Sequence, residues 1–158
     1  MAKLFAPSLE GFVDSESVLF SIDDFSNPSS NVIMYYTCQG EIPIEQAWKT
    51  FHERVMEVKD KNGDWMYKKL KHHIKTFMGY NFYESDENFD IRNHIRVYDY
   101  DDDLYIPSPC NEDDLRKVVG GLLTKSWKPN QSPWEVLLVY NYHSKSPAAG
   151  NNEDKKEM

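Results

Sequence analysis

The sequence predicts an α/β fold in which a sheet is flanked by amphipathic helices. Two short apolar runs, residues 32–38 and 134–140, have the length and loop flanks that are typical of buried strands. Two further segments, 43–58 and 111–125, carry apolar residues at helical spacing. Because strands and helices alternate along the chain, we expect layered α/β packing around a parallel or mixed sheet.

The first predicted strand, residues 32–38, follows a loop-like stretch at 26–31 that contains Pro28. The helix predicted at 43–58 is the clearest in the chain. Pro43 suits a first turn, where its missing N–H would have no partner. We expect this helix to bury one apolar face, formed by Ile44, Ala47, Trp48, Phe51, Val55 and Val58.

The middle of the chain gives weaker signals. Residues 65–83 favour a helix that gives way to a strand at 77–83, and residues 93–98 favour a short strand. We expect residues 1–13 to be an irregular lead-in and residues 144–158 to be a disordered polar tail. Residues 14–143 then form the folded domain.

The second helix is predicted at 111–125. Asn111 is a natural N-cap, and the three acidic residues after it suit the positive end of the helix dipole. Gly120 and Gly121 weaken the helix but permit close packing against a sheet. The apolar stripe, of which we expect Leu115, Val119 and Leu122 to be buried, consists of Leu115, Val118, Val119, Leu122 and Leu123.

The charge balance excludes one class of partner. The 158-residue chain has a formal net charge of −8, whereas nucleic-acid binding needs a basic face. A lysine cluster precedes an acidic stretch, and two interpretations stay open: two solvated faces, or a weak basic docking surface. The lysines are Lys68, Lys69, Lys71 and Lys75, and the acidic residues are Glu84, Asp86, Glu87, Asp90, Asp99, Asp101, Asp102 and Asp103.

The sequence predicts an intracellular, cytoplasmic protein. Cys38 and Cys110 form neither a disulfide framework nor a C-x-x-C zinc motif. Residues 1–5 lack the apolar core of a signal peptide, and no apolar run reaches the length of a membrane span. Association with a membrane or a lipid droplet stays open.

Familiar catalytic and metal motifs are missing from the sequence. A calcium loop begun at Asp99 would need glycine sixth and glutamate twelfth, and those places hold Leu104 and Cys110. The sequence contains no phosphate-binding glycine loop and no G-x-S-x-G elbow. We assign His72 and His73, which lie among lysines, a surface or interfacial role.

Two segments carry a family resemblance. Residues 87–97 contain a Phe-Asp-hydrophobic triplet and a His-hydrophobic-Arg triplet, and residues 132–138 contain Pro-Trp-Glu after a helix. In this order and spacing they resemble the N-terminal part of the wax ester synthase/diacylglycerol acyltransferase family. Ser132 departs from the family, which often has a second proline there, and residues 14–20 are similar to its opening. The matching residues are Phe89, Asp90, His94, Arg96, Pro133, Trp134 and Glu135.

The resemblance spans residues 14–142 and implies a CoA-dependent acyltransferase-type fold, with two α/β lobes around a tunnel. It also implies transfer of a fatty acyl group from acyl-CoA to an alcohol or diacylglycerol. The family's general base is the second histidine of His-His-x-x-x-Asp-Gly. This chain lacks that signature: after His72 and His73, the Asp and Gly places hold Phe77 and Met78. No residue here inherits a catalytic, cofactor-binding or metal-binding role.

The matching residues are therefore expected to be structural. We expect Asp90, His94 and Arg96 to fix the entry into a strand, and Trp134 to anchor the core. Whether the chain is an enzyme stays open, and we expect no acyl transfer by this chain alone. The partners predicted are a C-terminal acyltransferase lobe or a second copy, with lipid as a further candidate. The alternatives are a non-catalytic lipid- or protein-binding α/β module, or an unrelated α/β protein.

Overall fold

The computed structural model describes residues 6–14, 17 and 24–144. Within these ranges the chain is a mixed α/β protein with two small sheets and a few helices, which confirms the predicted class. The elements in chain order are β1 (Leu9–Phe12), α1 (Ile44–Phe51), β2 (His72–Phe77), β3 (Tyr80–Ser85), α2 (Ile91–His94), β4 (Ile95–Val97), α3 (Glu112–Leu122) and β5 (Val136–Leu138). A π-helical turn at His52–Met56 extends α1, and short 3-10 turns lie at Lys68–Lys71 and Asp102–Leu104.

The first sheet is antiparallel, with strand order β1-β3-β2. β2 and β3 form a hairpin, because Phe77 pairs with Tyr80 across a two-residue turn. The turn residues Met78 and Gly79 have φ of 52° and 80°, and two positive φ angles match the right-handed twist of the flanking strands. β1 pairs with the other edge of β3.

This sheet corrects two predictions. Residues 9–12 belong to a strand rather than to an irregular lead-in, because β3 supplies a pairing edge far away in sequence. Residues 65–77 contain no α-helix. They contain the 3-10 turn and then β2, and the predicted strand at 77–83 is the tip of the hairpin and most of β3. Long-range pairing overrides the local signal here.

The second sheet is a parallel pair, β4 and β5, in which Ile95 pairs with Val136 and Val97 with Leu138. A parallel pair needs a crossover connection, and α3 lies in that connection. Asn111 caps α3 as predicted: its side chain accepts a hydrogen bond from the Asp113 N–H, and its own N–H donates to Asp114. Residues 93–98 and 134–140 thus contain strands, but of only three residues each.

α1 packs on this second sheet. The indole N–H of Trp48 donates to the Ile95 carbonyl at 2.6 Å, and Phe51 stacks on Trp134 with ring centroids 5.3 Å apart. The predicted apolar face of α1 therefore points toward the sheet, and α3 buries Val118, although the side chains expected to be buried are only half-buried. Those residues are Trp48, Phe51, Leu115, Val119 and Leu122. The fully buried apolar residues are Leu9, Val13, Met56, Phe82, Ile95, Cys110 and Val118.

Residues 32–38 were predicted to be a buried strand, and the structure contradicts this. They are extended, but no strand in the described ranges pairs with them. Alternate side chains, Val32, Met34 and Tyr36, are 76%, 74% and 80% exposed. The sequence pattern is that of a strand, but among the described residues no strand lies beside it to bury it.

Side chains hold this extended segment against α3. Asn31 caps the end of the helix: its backbone N–H donates to the Leu123 carbonyl and its Nδ2 donates to the Leu122 carbonyl. At the other end of α3, the Tyr35 hydroxyl donates to Glu112 at 3.0 Å. The segment therefore runs antiparallel to the helix.

β5 was expected to be fully buried, but Val136 at its start is 38% exposed. Gly121 permits close packing as predicted, although its neighbour is Leu104 rather than a sheet. The proposed tail at 144–158 and the opening segment at 14–20 lie largely outside the described residues.

Candidate functional site

Phe89, His94 and Trp134, which carry the family resemblance, form one aromatic cluster. Asp90 caps α2 by accepting a hydrogen bond from the Arg92 N–H, and the short turn points His94 inward, where it is 1% exposed. The His94 ring lies 4.5 Å from the Trp134 ring and 4.9 Å from the Phe89 ring. Two segments about forty residues apart in sequence therefore meet in space.

The hydrogen bonds of His94 determine what the ring can do. Its Nδ1 lies 2.8 Å from the Trp134 carbonyl oxygen, which only accepts, so Nδ1 is the donor. In the neutral ring Nε2 is then an acceptor, and it faces the Ser132 hydroxyl at 3.5 Å. His94, the last residue of α2, thus ties the start of β4 to the entrance of β5 through its hydrogen bond to the Trp134 carbonyl.

Asp86 and Ser132 complete a buried polar group that the sequence did not reveal. Asp86 Oδ2 accepts hydrogen bonds from the Ser132 N–H at 3.0 Å and from its hydroxyl at 3.2 Å. Asp86 and Ser132 are 7% and 2% exposed. The one available signal was Ser132, at the position where the family often has proline.

A Ser, a His and an Asp in contact invite comparison with a catalytic triad, but the order of contacts differs. In a triad the carboxylate holds the histidine through Nδ1. Here Asp86 binds Ser132, and a backbone carbonyl holds Nδ1 of His94. The serine is also shielded from substrate. We interpret the group as a structural joint.

Trp134 lies at the centre of this joint. Its indole N–H donates to the Leu70 carbonyl at 2.7 Å, so the side chain ties the turn before β2 to the entrance of β5. Its ring stacks on Phe51 of α1 and on His94. The expected role of Trp134 as an anchor agrees with these contacts, although the side chain is half-buried.

Arg96 and Glu135, the other matching pair, form an ion pair with 2.8 Å between Nη2 and Oε2. The Tyr100 hydroxyl accepts a hydrogen bond from Arg96 and donates one to Glu135. Burial, and then Glu135, raise the pKa of Tyr100 well above its usual range, and the same causes raise the pKa of Tyr98 to about 12. These tyrosines therefore act as neutral hydrogen-bond donors.

Lys125 lies beside this network, with its ammonium 4.6 Å from the Tyr100 ring centroid and 5.4 Å from that of Trp127. Burial lowers the pKa of Lys125, because the charged form loses hydration. Asp90 makes local polar contacts directly before β4: it caps α2 and forms an ion pair with Arg92.

The side chains of His72 and His73 are largely covered by the antiparallel sheet, so the surface part of their predicted role is wrong. The His72 side chain is 9% exposed, and its Nε2 lies 2.8 Å from a Glu10 oxygen. The side chain of His73 is also 9% exposed and lies 3.3 Å from Glu84. No carboxylate lies nearby in sequence, but β1 and β3 bring one to each histidine.

The described residues include one open groove of the size that ligand pockets have. The groove, of about 690 Å³, lies between the hairpin and residues 127–133, and Gln131 and Pro133 line it while Ser132 does not. The described residues contain no group of three or more His, Cys, Asp or Glu that could hold a metal ion. Among the helices of the described ranges, none is long and apolar enough to cross a membrane.

Comparison with known proteins adds no relative. No protein-family model matches the chain, and neither a curated protein nor a solved structure is significantly similar to it.

Proposed function

We propose that this chain is the N-terminal portion of an O-acyltransferase that transfers a fatty acyl group from acyl-CoA to a long-chain alcohol or diacylglycerol. In this proposal its fold is part of the first lobe of a CoA-dependent acyltransferase-type enzyme. The residues that match the family have structural roles, and the general base comes from a portion that carries His-His-x-x-x-Asp-Gly.

One observation carries the proposal: the two family-like segments form a single packed unit. His94 contacts Trp134, Arg96 pairs with Glu135, and β4 pairs with β5 between them. Two segments that resemble the family by chance have no reason to contact each other, whereas two parts of one family motif do. This contact supports the interpretation of the two segments as one motif.

The burial of the polar groups agrees with a supporting role. A general base must reach the proton of the acceptor hydroxyl directly or through one water. His94 is buried, and both of its ring nitrogens face groups of the chain itself. We therefore expect this polypeptide to form no ester by itself.

The test is reconstitution. The chain would be co-expressed with the C-terminal lobe of a wax ester synthase that carries His-His-x-x-x-Asp-Gly. Ester formation from acyl-CoA and a long-chain alcohol would then be measured. We expect activity from the pair and none from either part, and alanine at the second catalytic histidine of the added lobe should abolish it. Esterification by this chain alone that His73→Ala removes would contradict the proposal.

A binding module is the second candidate, and a specific observation favours it. Val32, Met34 and Tyr36 expose large apolar surface on one segment, as interaction sites do. A chain that remains monomeric and cooperatively folded at high concentration, and does not bind the added lobe, would favour a self-sufficient module.

A further inference from the structure

The turn of the β2–β3 hairpin forms an apolar projection. Residues 76–82 read Thr-Phe-Met-Gly-Tyr-Asn-Phe and carry no charge, in a chain whose residues are 28% charged. β1 adds one aromatic ring, because Phe12 pairs with Phe82 across the sheet. We call this group the aromatic tip; its members are Phe12, Phe77, Met78, Tyr80 and Phe82.

The aromatic tip is continuous, and much of it is exposed. Phe12 lies 4.5 Å from Phe82 and 6.1 Å from Tyr80, centroid to centroid. Met78, Tyr80 and Phe12 are 81%, 64% and 66% exposed. Phe82 is buried below them and supports their rings. The turn thus places three large apolar side chains in water next to one another.

We propose that the aromatic tip inserts into the surface of a lipid layer. The shape favours lipid, because a convex tip needs no matching cavity when its partner is fluid. The hairpin also satisfies part of its own backbone. Phe77 pairs with Tyr80 and Thr76 with Asn81, so the backbone groups that face each other beside the turn need no water when the turn enters the layer.

The polar groups around the tip suit an interface. Tyrosine combines an apolar ring with a polar hydroxyl and is enriched at membrane surfaces. Two carboxylates follow the tip along the strands, Asp14 after Phe12 and Glu84 after Phe82. Lys69 pairs with Asp14 and Lys75 pairs with Glu84, which reduces the charge that would oppose approach to lipid. Lys75 can also extend its apolar stem along the surface of the layer.

Binding to vesicles of pure phosphatidylcholine, measured by flotation, tests the tip directly. The double variant Met78→Asn/Tyr80→Thr removes two exposed apolar side chains. Asn tolerates the positive φ of position 78 and Thr suits a strand, so the hairpin is preserved. The control, Met66→Asn/Tyr105→Thr, makes the same changes at residues that are 50% and 60% exposed and belong to neither the aromatic tip nor the 32–38 segment.

We expect the tip variant to bind these vesicles at least about tenfold more weakly than the unchanged chain. The control should bind like the unchanged chain. Equal losses in both variants, or no vesicle binding by the unchanged chain, would overturn the proposal. So would binding that needs phosphatidylserine and ignores the tip, because lysines would then be responsible.

Sedimentation without vesicles tests whether a second copy of the chain, rather than lipid, covers the aromatic tip. Self-association that the tip variant removes, together with no vesicle binding, would mean that a second copy covers the tip and would overturn the lipid proposal. The inference does not depend on acyl transfer. Failure to reconstitute ester formation leaves the vesicle result unchanged, and loss of vesicle binding leaves the ester assay unchanged.

Discussion

At the scale of the residue, His94 acts as a connector. It is 1% exposed, its Nδ1 is bound to the Trp134 carbonyl, and its ring lies against two aromatic side chains. Buried polar groups that find partners contribute modestly to stability, but a partner left unpaired costs more. The value of His94 therefore lies in the Trp134 carbonyl that it satisfies.

His94→Phe keeps a ring in the cluster but leaves the Trp134 carbonyl without its donor. We expect the free energy of unfolding to fall by about 1–3 kcal/mol. Urea denaturation followed by Trp fluorescence measures the change. His52→Phe is the control, because the His52 side chain is 54% exposed, and it should change stability by less than about 0.5 kcal/mol. Equal effects of the two substitutions would show that His94 does not act as a joint.

At the scale of the element, α3 packs closely on the 3-10 turn Asp102–Leu104. A Cβ placed on Gly121 would lie 2.5 Å from Leu104 Cδ2, whereas a Cβ on Gly120 would meet nothing within 4 Å. Both glycines therefore carry the entropic cost of glycine in a helix, but only Gly121 lies close to another side chain.

This difference gives a matched pair of substitutions. Gly120→Ala should raise the free energy of unfolding by about 0.5–1 kcal/mol, because alanine loses less entropy in a helix. Gly121→Ala has the same backbone gain but must displace the Leu104 side chain, so its gain should be smaller or reversed. Thermal unfolding of both variants measures the difference. Equal stabilisation by both would contradict the close contact with Leu104.

Two carboxylates where β1 meets β3, those of Glu10 and Glu84, have lowered pKa values. A hydrogen bond from Ser85, and then His72, lower the pKa of Glu10 below 4.5, and a hydrogen bond from Ser8 lowers that of Glu84. A lowered pKa in the folded chain means that the contribution is complete above the ordinary value and is lost as pH falls through the folded value. We therefore expect β1 to loosen first in acid, below about pH 4.5.

Hydrogen exchange of the Val13 amide, which donates to the Asn81 carbonyl, reports on β1. Its protection relative to the amides of β2 should fall as the pH decreases below about 4.5. Glu10→Gln should flatten that dependence, and Glu53→Gln, on the exposed side of the helix, should leave it unchanged. Identical pH profiles in all three proteins would contradict the role of Glu10.

The elements differ in how far the sequence could predict them. α3 was predictable, because its cap and apolar stripe lie within one short segment. β1 and the partners of His72 and His73 were not, because they depend on pairing between residues 9–12 and 80–85. The contact of His94 with Trp134 was suggested only by family resemblance, and Asp86 gave no local signal. Local chemistry determines the helix ends, whereas strand partners depend on chain topology.

At the scale of the whole molecule, residues 32–38 are the main difference from the predicted fold. They have the composition of a buried strand, yet Val32, Met34 and Tyr36 are exposed. In the described ranges β5 also has β4 as its sole strand partner. Unpaired backbone edges favour association with another strand. We therefore expect the chain alone to be marginally stable and to self-associate or to bind a complementary lobe.

Hydrogen exchange of residues 32–38 tests the central proposal, that this chain is one portion of a larger acyltransferase, most directly. It would be measured by mass spectrometry with and without the C-terminal lobe that carries His-His-x-x-x-Asp-Gly. We expect fast exchange in the chain alone and at least about tenfold slower exchange when the lobe is bound, because pairing protects backbone amides. Slow exchange in the monomeric chain alone, unchanged by the lobe, would contradict the account.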